Sequence, residues 1–442
     1  MVDNDIIVAP ATAMGGAIAV IRMSGEGAVE CCDKVFAGRS RLADAAPYTV
    51  HYGRIVDGDR TLDDVLVSVF RAPHSYTGED SVEISIHGSK YIASEVMSLL
   101  VRNGARMARA GEFSVRAFLA GKMDLSQAEA VADMIAADSR ASHALASTQM
   151  RGGYSQSLQS LRRQLLDIAS LLELELDFSE EEVEFADRSH LEELFNHTGA
   201  EIGRLMESFA TGNAIKEGVA TAIVGAPNVG KSTLLNRLVG EDRAMISDIA
   251  GTTRDTVEAH CNIDGVQFRF VDTAGIRTTD DRLEQMGIER TMKALREARI
   301  VIQMIEAGCS DFEPVAVGDG QTLIVVANKA DRSDDRSVND AIYISAKSGD
   351  GVDKLRARLR STVDTERIYA GETVVSNARH FAALQRASEA LTRAMTALHS
   401  GLSGELLSEE IREVLQHIGE ITGDVTSDDI LKNIFSKFCI GK

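Results

Sequence analysis

The sequence lacks the features that mark membrane-spanning and zinc-binding proteins. No run approaches the roughly 20 apolar residues that a membrane helix needs. The N-terminal MVDNDIIVAP is acidic and has neither a signal-peptide core nor an arginine-rich transit pattern, so we expect a cytoplasmic protein without a membrane span. We also expect a reducing compartment, because no CxxC pair and no zinc spacing occur among the five cysteines, Cys31, Cys32, Cys261, Cys309 and Cys439.

An excess of positive charge is also missing. The chain carries 47 lysine and arginine residues against 67 aspartate and glutamate residues, a formal net charge of −20. This balance favours solubility and argues against a dedicated nucleic-acid scaffold, which usually carries a basic footprint. It leaves open a local basic patch, or a partner that supplies one. The 442 residues, 44% hydrophobic and 26% charged, suffice for about two to four globular domains.

The type of secondary structure changes along the chain. The first 120 residues mix strands such as IAVIRMSG, VLVSVFRAP and SVEISIHGS with the amphipathic helix SKYIASEVMSLLVRNG. Residues 121–217 and 366–442 show helical spacing, whereas residues 218–365 hold short apolar runs between helical segments, which is typical of a parallel α/β sheet. We therefore predict a multidomain α/β plus α fold: an N-terminal α+β domain (1–120) and a discontinuous helical domain (121–217 and 366–442) with an inserted α/β domain (218–365).

The segment GAPNVGKS, Gly225 to Ser232, fits the phosphate-binding pattern G-x-x-x-x-G-K-[ST]. It follows a predicted strand and opens a predicted helix, the context in which backbone amides and the helix N-terminus face phosphate oxygens. Lys231 would reach the β- and γ-phosphates, and Ser232 would bind Mg²⁺. The predicted nucleotide contacts from this loop are Asn228, Val229, Gly230, Lys231, Ser232 and Thr233.

Further motifs follow in an order that favours GTP over ATP. Asp272 of VDTAG would hold Mg²⁺ through water, the Gly275 amide would sense the γ-phosphate, and Thr253 of GTTRD would complete the Mg²⁺ shell. Asp331 of NKAD can accept N–H bonds from a guanine edge, a pairing that adenine does not offer, and SAK follows to back the base. These motifs predict a GTP hydrolase with a Ras-like P-loop domain. They add the contacts Ser247, Asp248, Ile249, Ala250, Gly251, Thr252, Thr253, Asp272, Thr273, Ala274, Gly275, Asn328, Lys329, Asp331, Ser345, Ala346 and Lys347.

Hydrolysis requires a group that orients the attacking water. Ras-like proteins use a glutamine soon after the DTAG-type glycine, but this chain has Ile276 there, which cannot act in this way. The polar side chains downstream are Arg277, Asp280, Asp281 and Glu284. Spacing alone leaves open which of them orients water and which simply belong to a solvated loop.

Segments outside these motifs carry a more specific resemblance. They are IRMSG, SYTGED, ARAGEFSVRAFLAGKMDLSQAEA and the terminal GDVTSDDILKNIFSKFCIGK, and with the nucleotide motifs they cover essentially the whole chain. The sequence resembles the MnmE (TrmE) family of tRNA modification GTPases, within the wider TrmE-Era-EngA-like group of P-loop GTPases. The resemblance implies an N-terminal tetrahydrofolate-binding domain that forms a homodimer. The implied folate contacts, each of which would otherwise be interpreted as a surface ion pair, are Arg22, Glu79, Lys122 and Lys442.

The resemblance also implies activation by K⁺, held between the phosphates and the loop before GTTRD. Its ligands would be Asn228, Ser247, Ile249 and Thr252, the last two chiefly through backbone carbonyls. The cation would neutralise charge that an arginine finger neutralises in other GTPases. Ser247 replaces the usual threonine of the family and still offers an oxygen. The water-positioning glutamate of the family aligns with Glu284, so the implied catalytic residues are Glu284, Lys231 and Thr253, with Mg²⁺ on Ser232 and Thr253.

The implied activity is modification of the wobble uridine of certain tRNAs. The chain would act with the FAD-binding protein MnmG, in a heterotetramer or larger complex, and with a 5,10-methylene- or 5-formyl-tetrahydrofolate. The product would carry an aminomethyl or carboxymethylaminomethyl group at uridine C5. GTP hydrolysis would drive conformational change as the two G domains meet and part, and it would not form the new bond. The acidic charge fits a chain that leaves most tRNA contact to its partner.

Two other functions agree less well with the sequence. A ribosome-assembly GTPase would carry a basic KH-like or similar RNA-binding appendage, but neither a GXXG loop in a basic setting nor a basic tail occurs. A folate enzyme with a vestigial GTPase domain would have broken nucleotide motifs, and these are intact.

The terminal FSKFCIGK raises the question of what Cys439 does. Cys-Ile-Gly-Lys is a poor prenylation signal. The cysteine follows a helix that Ser427 is predicted to cap, and the negative end of that helix disfavours a thiolate, although Lys437 could offset it. We predict that this helix packs the tail back toward the N-terminal pocket, where Lys442 would line the folate site.

Overall fold

The computed structural model describes residues 5–177, 188–242, 259–270, 293–309, 311–333, 335–401, 404–436, 438 and 441. The chain divides into two compact units, one formed by Met1–Ala132 with Ile418–Lys442 and the other by Asp133–His417. The C-terminal residues are thus grouped with the N-terminal ones, while the four predicted domain ranges stay predictions. Within the described residues, no helix is both long and apolar enough to cross a membrane.

The first unit contains a seven-stranded sheet of order β3-β4-β5-β6-β2-β1-β7. The neighbouring strands are antiparallel, except that β1 and β7 are parallel. Along β5 the buried residues Val65, Val67 and Val69 alternate with more accessible ones, which is the period that places one face of a strand on a core. The strands are β1 (Ile6–Pro10), β2 (Ile18–Ser24), β3 (Phe36–Gly38), β4 (Thr49–Asp57), β5 (Arg60–Phe70), β6 (Ser81–His87) and β7 (Ala105–Met107).

The predicted strands and helix of this region are confirmed, since IAVIRMSG, VLVSVFRAP and SVEISIHGS fall on β2, β5 and β6. The predicted amphipathic helix is Lys90–Arg102, and the Ser89 hydroxyl caps it by accepting a hydrogen bond from the Ile92 amide. Its apolar face, which includes Val96 and Leu100, packs into the core of the sheet. The helices with residues in this unit are Ala28–Asp33, Lys90–Arg102, Glu112–Leu119, Leu125–Ala136, Gly404–Thr422 and Asp428–Phe435.

The predicted cap of the C-terminal helix is also confirmed. The Ser427 hydroxyl accepts a hydrogen bond from the Ile430 amide at 3.4 Å, and the helix runs from Asp428 to Phe435. Phe435 and Phe438 then pack with Leu125 of the first unit. The apolar side of this helix therefore fixes the end of the chain against N-terminal residues, as the sequence predicted.

The second unit contains a six-stranded sheet of order β13-β12-β11-β8-β10-β9. Its strand pairs are parallel except at one edge, where β9 is antiparallel to β10. The prediction of a parallel sheet is therefore wrong at this edge. The reason is the turn Asp264–Gly265, whose φ values of 48° and 82° form a two-residue hairpin. The strands are β8 (Val219–Gly225), β9 (Ala259–Ile263), β10 (Val266–Phe270), β11 (Ile300–Glu306), β12 (Thr322–Asn328) and β13 (Ile342–Tyr343).

Helical segments from both sides of the inserted sheet contact each other within the second unit. The rings of Phe209 and Phe381 stack with centroids 4.4 Å apart, and the Ser208 hydroxyl accepts a hydrogen bond from the Val375 amide at 3.0 Å. A β-carbon on Gly212 would lie 2.2 Å from the Val375 carbonyl oxygen, so glycine permits the close approach. The helices are Arg140–Met150, Gly153–Asp177, Arg188–Glu217, Lys231–Asp242, Val352–Ser361, Glu366–Tyr369 and Ala378–His399.

Candidate functional site

The predicted phosphate-binding loop lies between β8 and the helix that begins at Lys231. Gly225 and Gly230 have φ values of 147° and 106°, which glycine adopts without strain. A β-carbon on Gly225 would lie 2.3 Å from the carbonyl oxygen of Met304 in β11. A β-carbon on Gly230 would lie 2.2 Å from the side-chain amide nitrogen of Asn328 at the end of β12. The glycines therefore let the loop lie directly against the ends of β11 and β12.

Lys231 combines with this loop to form an anion-binding arrangement. Its amino group donates hydrogen bonds to the carbonyl oxygens of Gly225 at 2.8 Å and Ala226 at 2.9 Å. Burial lowers the pKa of the Lys231 amino group, and a nearby phosphate would counter that effect by favouring the charged form. Ser232 and Thr233 follow in the first turn of the helix, whose N-terminus also favours an anion. The loop therefore has the charge and geometry to bind phosphate.

Asn328, the first residue of NKAD, joins the phosphate loop to the SAK segment. Its side chain is almost fully buried and donates a hydrogen bond to the Val229 carbonyl oxygen at 2.7 Å. Its amide oxygen accepts a hydrogen bond from the Ala346 backbone at 2.9 Å. The three segments follow β8, β12 and β13, which belong to the parallel part of one sheet, so the carboxyl ends of these strands lie at the same edge of the sheet. The structure thus brings three of the predicted nucleotide motifs together.

The remaining residues of NKAD and SAK form the side of this edge where a base would bind. Asp331 is exposed. Its carboxylate accepts a hydrogen bond from the Ser345 side chain, which is the main reason why its pKa lies below the usual value, and a second one from its own backbone amide, which lowers the pKa further. The carboxylate is therefore an acceptor at neutral pH. Lys329 has φ 62° and donates to Glu306 at 2.8 Å. Arg237, on the helix after the phosphate loop, donates to the Ala346 and Lys347 carbonyl oxygens and so ties the SAK segment to that helix.

Several predicted residues lie outside the described part of the chain, and their roles stay predictions. They belong to the segments around GTTRD and DTAG and to the extreme C-terminus. They are Ser247, Asp248, Ile249, Ala250, Gly251, Thr252, Thr253, Asp272, Thr273, Ala274, Gly275, Ile276, Arg277, Asp280, Asp281, Glu284, Lys437, Cys439 and Lys442.

A second cluster of predicted residues lies in the first unit, around Arg22 of β2. Its guanidinium pairs with Glu83 of β6 at 2.8 Å and lies over the rings of Tyr76 and Phe113, 5.2 Å and 5.8 Å from their centroids. It also donates to the Gly441 carbonyl oxygen at 3.5 Å. The tail residue next to the predicted Lys442 is therefore close to Arg22.

Two further predicted folate residues, Glu79 and Lys122, belong to the same region of the first unit. Ser24 is two residues further along the same strand, so its side chain shares a face with that of Arg22, and its hydroxyl donates to the Glu79 carboxylate at 2.8 Å. Lys122 is exposed and donates to the Pro73 carbonyl oxygen at 2.8 Å. A β-carbon on Gly78, the neighbour of Glu79, would lie 3.6 Å from the Lys122 side chain. The cluster around Arg22 thus presents the carboxylate of Glu79, the guanidinium of Arg22 and the ammonium of Lys122, and the rings of Tyr76 and Phe113 lie beside Arg22.

The carboxylate of Glu79 belongs to a larger ion cluster. Arg116 pairs with Glu79 at 3.1 Å, with Asp5 at 2.8 Å and with Glu112 at 3.4 Å, and Arg106 pairs with both Asp5 and Glu112. Burial alone would raise the pKa of the Asp5 and Glu112 carboxyls. The hydrogen bonds and positive charges of the arginines outweigh it, and both pKa values lie below their usual range. These carboxylates therefore stay charged at neutral pH.

The sequence did not predict Arg116, Ser24, Tyr76 and Phe113 as parts of this cluster. Arg116 and Phe113 belong to GEFSVRAF and Tyr76 belongs to SYTGED, but these motifs do not show which of their side chains face one another. Alternation along β2 was the available signal for Ser24, since it places that residue on the Arg22 face.

Two family models together match most of the chain. Residues 6–122 match the family model described as GTP-binding protein TrmE N-terminus, and residues 125–439 match the MnmE helical domain model. The chain is 47% identical to the tRNA modification GTPase MnmE of Christiangramia forsetii over 476 aligned positions, covering 99% of each chain. It is 48% identical to the protein of the same name from Bacteroides thetaiotaomicron, covering 100% of each chain. The chain therefore belongs to the MnmE family of tRNA modification GTPases.

Proposed function

We propose that this protein modifies the wobble uridine of tRNA together with an FAD-binding partner of the MnmG type, and that its GTPase cycle drives the conformational changes of that complex. The observation that carries the proposal is the junction at Asn328, which joins phosphate loop and SAK segment in one nucleotide site. The similarity to tRNA modification GTPases over the full chain supports the tRNA substrate. The group added at uridine C5 would be aminomethyl or carboxymethylaminomethyl.

In the proposed nucleotide site, Lys231 and the loop amides bind the phosphates, and Asp331 accepts the N–H edge of guanine. Mg²⁺ would be held by Ser232 and Thr253 and would neutralise charge on the phosphate oxygens. K⁺ would lie on Asn228, Ser247, Ile249 and Thr252, and Glu284 would position the attacking water. Asn228 is exposed on the loop with φ 60°, which leaves its side chain accessible to such an ion. Equal GTPase rates in K⁺ and Na⁺ would refute the K⁺ site.

In the proposed folate site, Arg22 and Lys122 pair with the carboxylates of a tetrahydrofolate, Glu79 accepts the N–H edge of its pterin, and Lys442 completes the pocket. The aromatic rings of Tyr76 and Phe113 beside Arg22 fit a flat, partly apolar ligand. Bound 5,10-methylene- or 5-formyl-tetrahydrofolate would supply the one-carbon unit. Titration of the protein with 5-formyl-tetrahydrofolate, by calorimetry, tests the site, and the absence of binding would refute it.

The proposed homodimer would use the outer face of the first sheet. Val50 and Tyr52 alternate along β4 and are 62% and 69% exposed, and Leu66, which pairs with Tyr52 on β5, is 48% exposed. Apolar side chains on an open sheet face favour burial against a second copy. Sedimentation should show a dimer for the wild type and a monomer for Leu66→Asp, whereas Thr61→Asp, an exposed change at the end of the same strand, should stay dimeric.

The main function is tested by nucleoside analysis of tRNA. Cells that lack this protein should lose the modified wobble uridine, and the wild-type gene should restore it. Lys231→Ala should not restore it, because the phosphates lose their cation, whereas Lys354→Ala, an exposed lysine on the helix Val352–Ser361, should. Unchanged wobble uridines in the deletion strain would reject the function.

A further inference from the structure

A buried cation lies directly behind the proposed folate pocket. The side chain of Arg116, on the helix Glu112–Leu119, is only 2% exposed. One of its terminal nitrogens donates to both Glu79 carboxylate oxygens, at 3.2 Å and 3.1 Å, and to the Asp5 backbone carbonyl at 2.9 Å. A guanidinium this buried is costly unless its partners are charged and well placed. The contacts therefore tie the charge of Arg116 to that of Glu79.

The carboxylates around Arg116 differ in their access to solvent. The side chain of Glu112 is 7% exposed and enclosed by the arginines, whereas that of Glu79 is 28% exposed. The second contact of Glu79, the Ser24 hydroxyl, is itself fully buried and bonded to Thr77 at 2.6 Å. Glu79 is thus held from behind by a guanidinium and a hydroxyl while part of its carboxylate stays accessible.

We infer that Arg116 is a positioning residue for the folate pocket, holding the Glu79 carboxylate in the orientation in which it accepts the N–H edge of the ligand. The inference rests on the proposed function of this pocket and goes beyond it, because Arg116 itself does not line the pocket's open side. An acceptor for two neighbouring N–H groups must be deprotonated and fixed in the plane of the ligand. Ser24 would fix one carboxylate oxygen of Glu79, and Arg116 would fix both.

Removal of Arg116 should let the Glu79 carboxylate turn out of the plane of the ligand. The guanidinium of Arg116 contacts both carboxylate oxygens of Glu79, whereas the Ser24 hydroxyl contacts only one of them. With Ser24 alone, the carboxylate can rotate about that single hydrogen bond, and one of the two N–H groups of the ligand loses its acceptor.

The test measures the Kd of 5-formyl-tetrahydrofolate by calorimetry. For Arg116→Met, the Kd should rise by about tenfold or more, because Glu79 loses the donor that contacts both of its oxygens. Arg116→Lys keeps a charged donor without the planar fork and should recover part of the affinity. Arg106→Met removes a cation that pairs with Asp5 and Glu112 instead of Glu79 and should leave the Kd nearly unchanged. Ser24→Ala, which removes only the hydroxyl, should weaken binding by about tenfold.

The outcomes separate this inference from the proposed function. If the wild type binds the ligand and Arg116→Met binds it as tightly, or if Arg106→Met loses as much affinity as Arg116→Met, the role of Arg116 is overturned and the folate site stands. No binding by the wild type would overturn the folate site and the inference with it. GTP hydrolysis and far-UV circular dichroism report whether each variant is folded. If Arg116→Met does not fold, Arg116→Gln, which keeps an N–H donor but no charge, is measured instead and should also bind the ligand more weakly than the wild type.

Discussion

Replacing Asn328 with alanine tests the geometry of the nucleotide site most directly. The side chain is 3% exposed and bridges the Val229 carbonyl oxygen at 2.7 Å and the Ala346 amide at 2.9 Å. Alanine would leave both backbone groups buried without this partner, and each such loss costs about 1–3 kcal/mol. We expect the free energy of unfolding of the nucleotide-free protein to fall by about 2–4 kcal/mol. The affinity for GTP should also fall, by at least about tenfold, because phosphate loop and base side are no longer held together.

Gln303 offers a matched control in the same sheet. It is a buried amide on β11 that donates to the Glu313 carbonyl oxygen at 2.7 Å and accepts from the Val315 amide at 2.9 Å. Gln303→Ala should therefore lower stability by a similar amount and leave GTP affinity nearly unchanged. Urea unfolding and titration with a fluorescent GTP analogue measure the two quantities. The reasoning is refuted if Asn328→Ala unfolds within about 0.5 kcal/mol of the wild type, or if both variants lose GTP affinity equally.

Three further predictions follow from the described residues. Asp331→Asn should move nucleotide preference from guanine to xanthine in competition binding, and retained GTP selectivity would contradict its role. Gly441→Ala should weaken 5-formyl-tetrahydrofolate binding and leave GTP binding unchanged. The φ angle of Gly441 is 102°, and a β-carbon there would lie 2.0 Å from the Pro10 carbonyl oxygen, so the tail would have to move. Unchanged folate affinity would show that the tail is not part of the pocket. Folding lowers the pKa values of Asp5 and Glu112 from their unfolded values of 3.8 and 4.5. The stability that these carboxylates contribute is therefore present above the unfolded values and is lost as pH falls from there through the lower folded values. Urea midpoints at pH 6 and pH 3.5 should differ less in Arg106→Met than in the wild type, because this variant removes one of the cations that lower both pKa values.

The nucleotide site was predictable because its motifs are contiguous and ordered along the chain. Each motif names a strand end, and parallel strands place those ends at one edge of the sheet. The double hydrogen bond of Asn328 was not predictable, because it depends on how closely Gly230 approaches β12. The antiparallel edge strand was missed although Asp264–Gly265 is a typical hairpin pair. The reason is that short apolar runs between helical segments over residues 218–365 predict a parallel sheet as a whole and do not reveal a single hairpin within it.

The proposed folate pocket shows the opposite limit of sequence reasoning. Its residues come from β2, from the loop before β6, from the helix Glu112–Leu119 and from the chain terminus, so no local pattern relates them. The resemblance to a family pointed to residues that would touch a ligand, but not to Arg116 behind them. A buried arginine looks like any other charge in a helical sequence until its partners are known, since burial and pairing are properties of the fold. The Glu79 carboxylate is thus held by hydrogen bonds from a residue 37 positions away, on a helix that no local pattern around Glu79 could reveal.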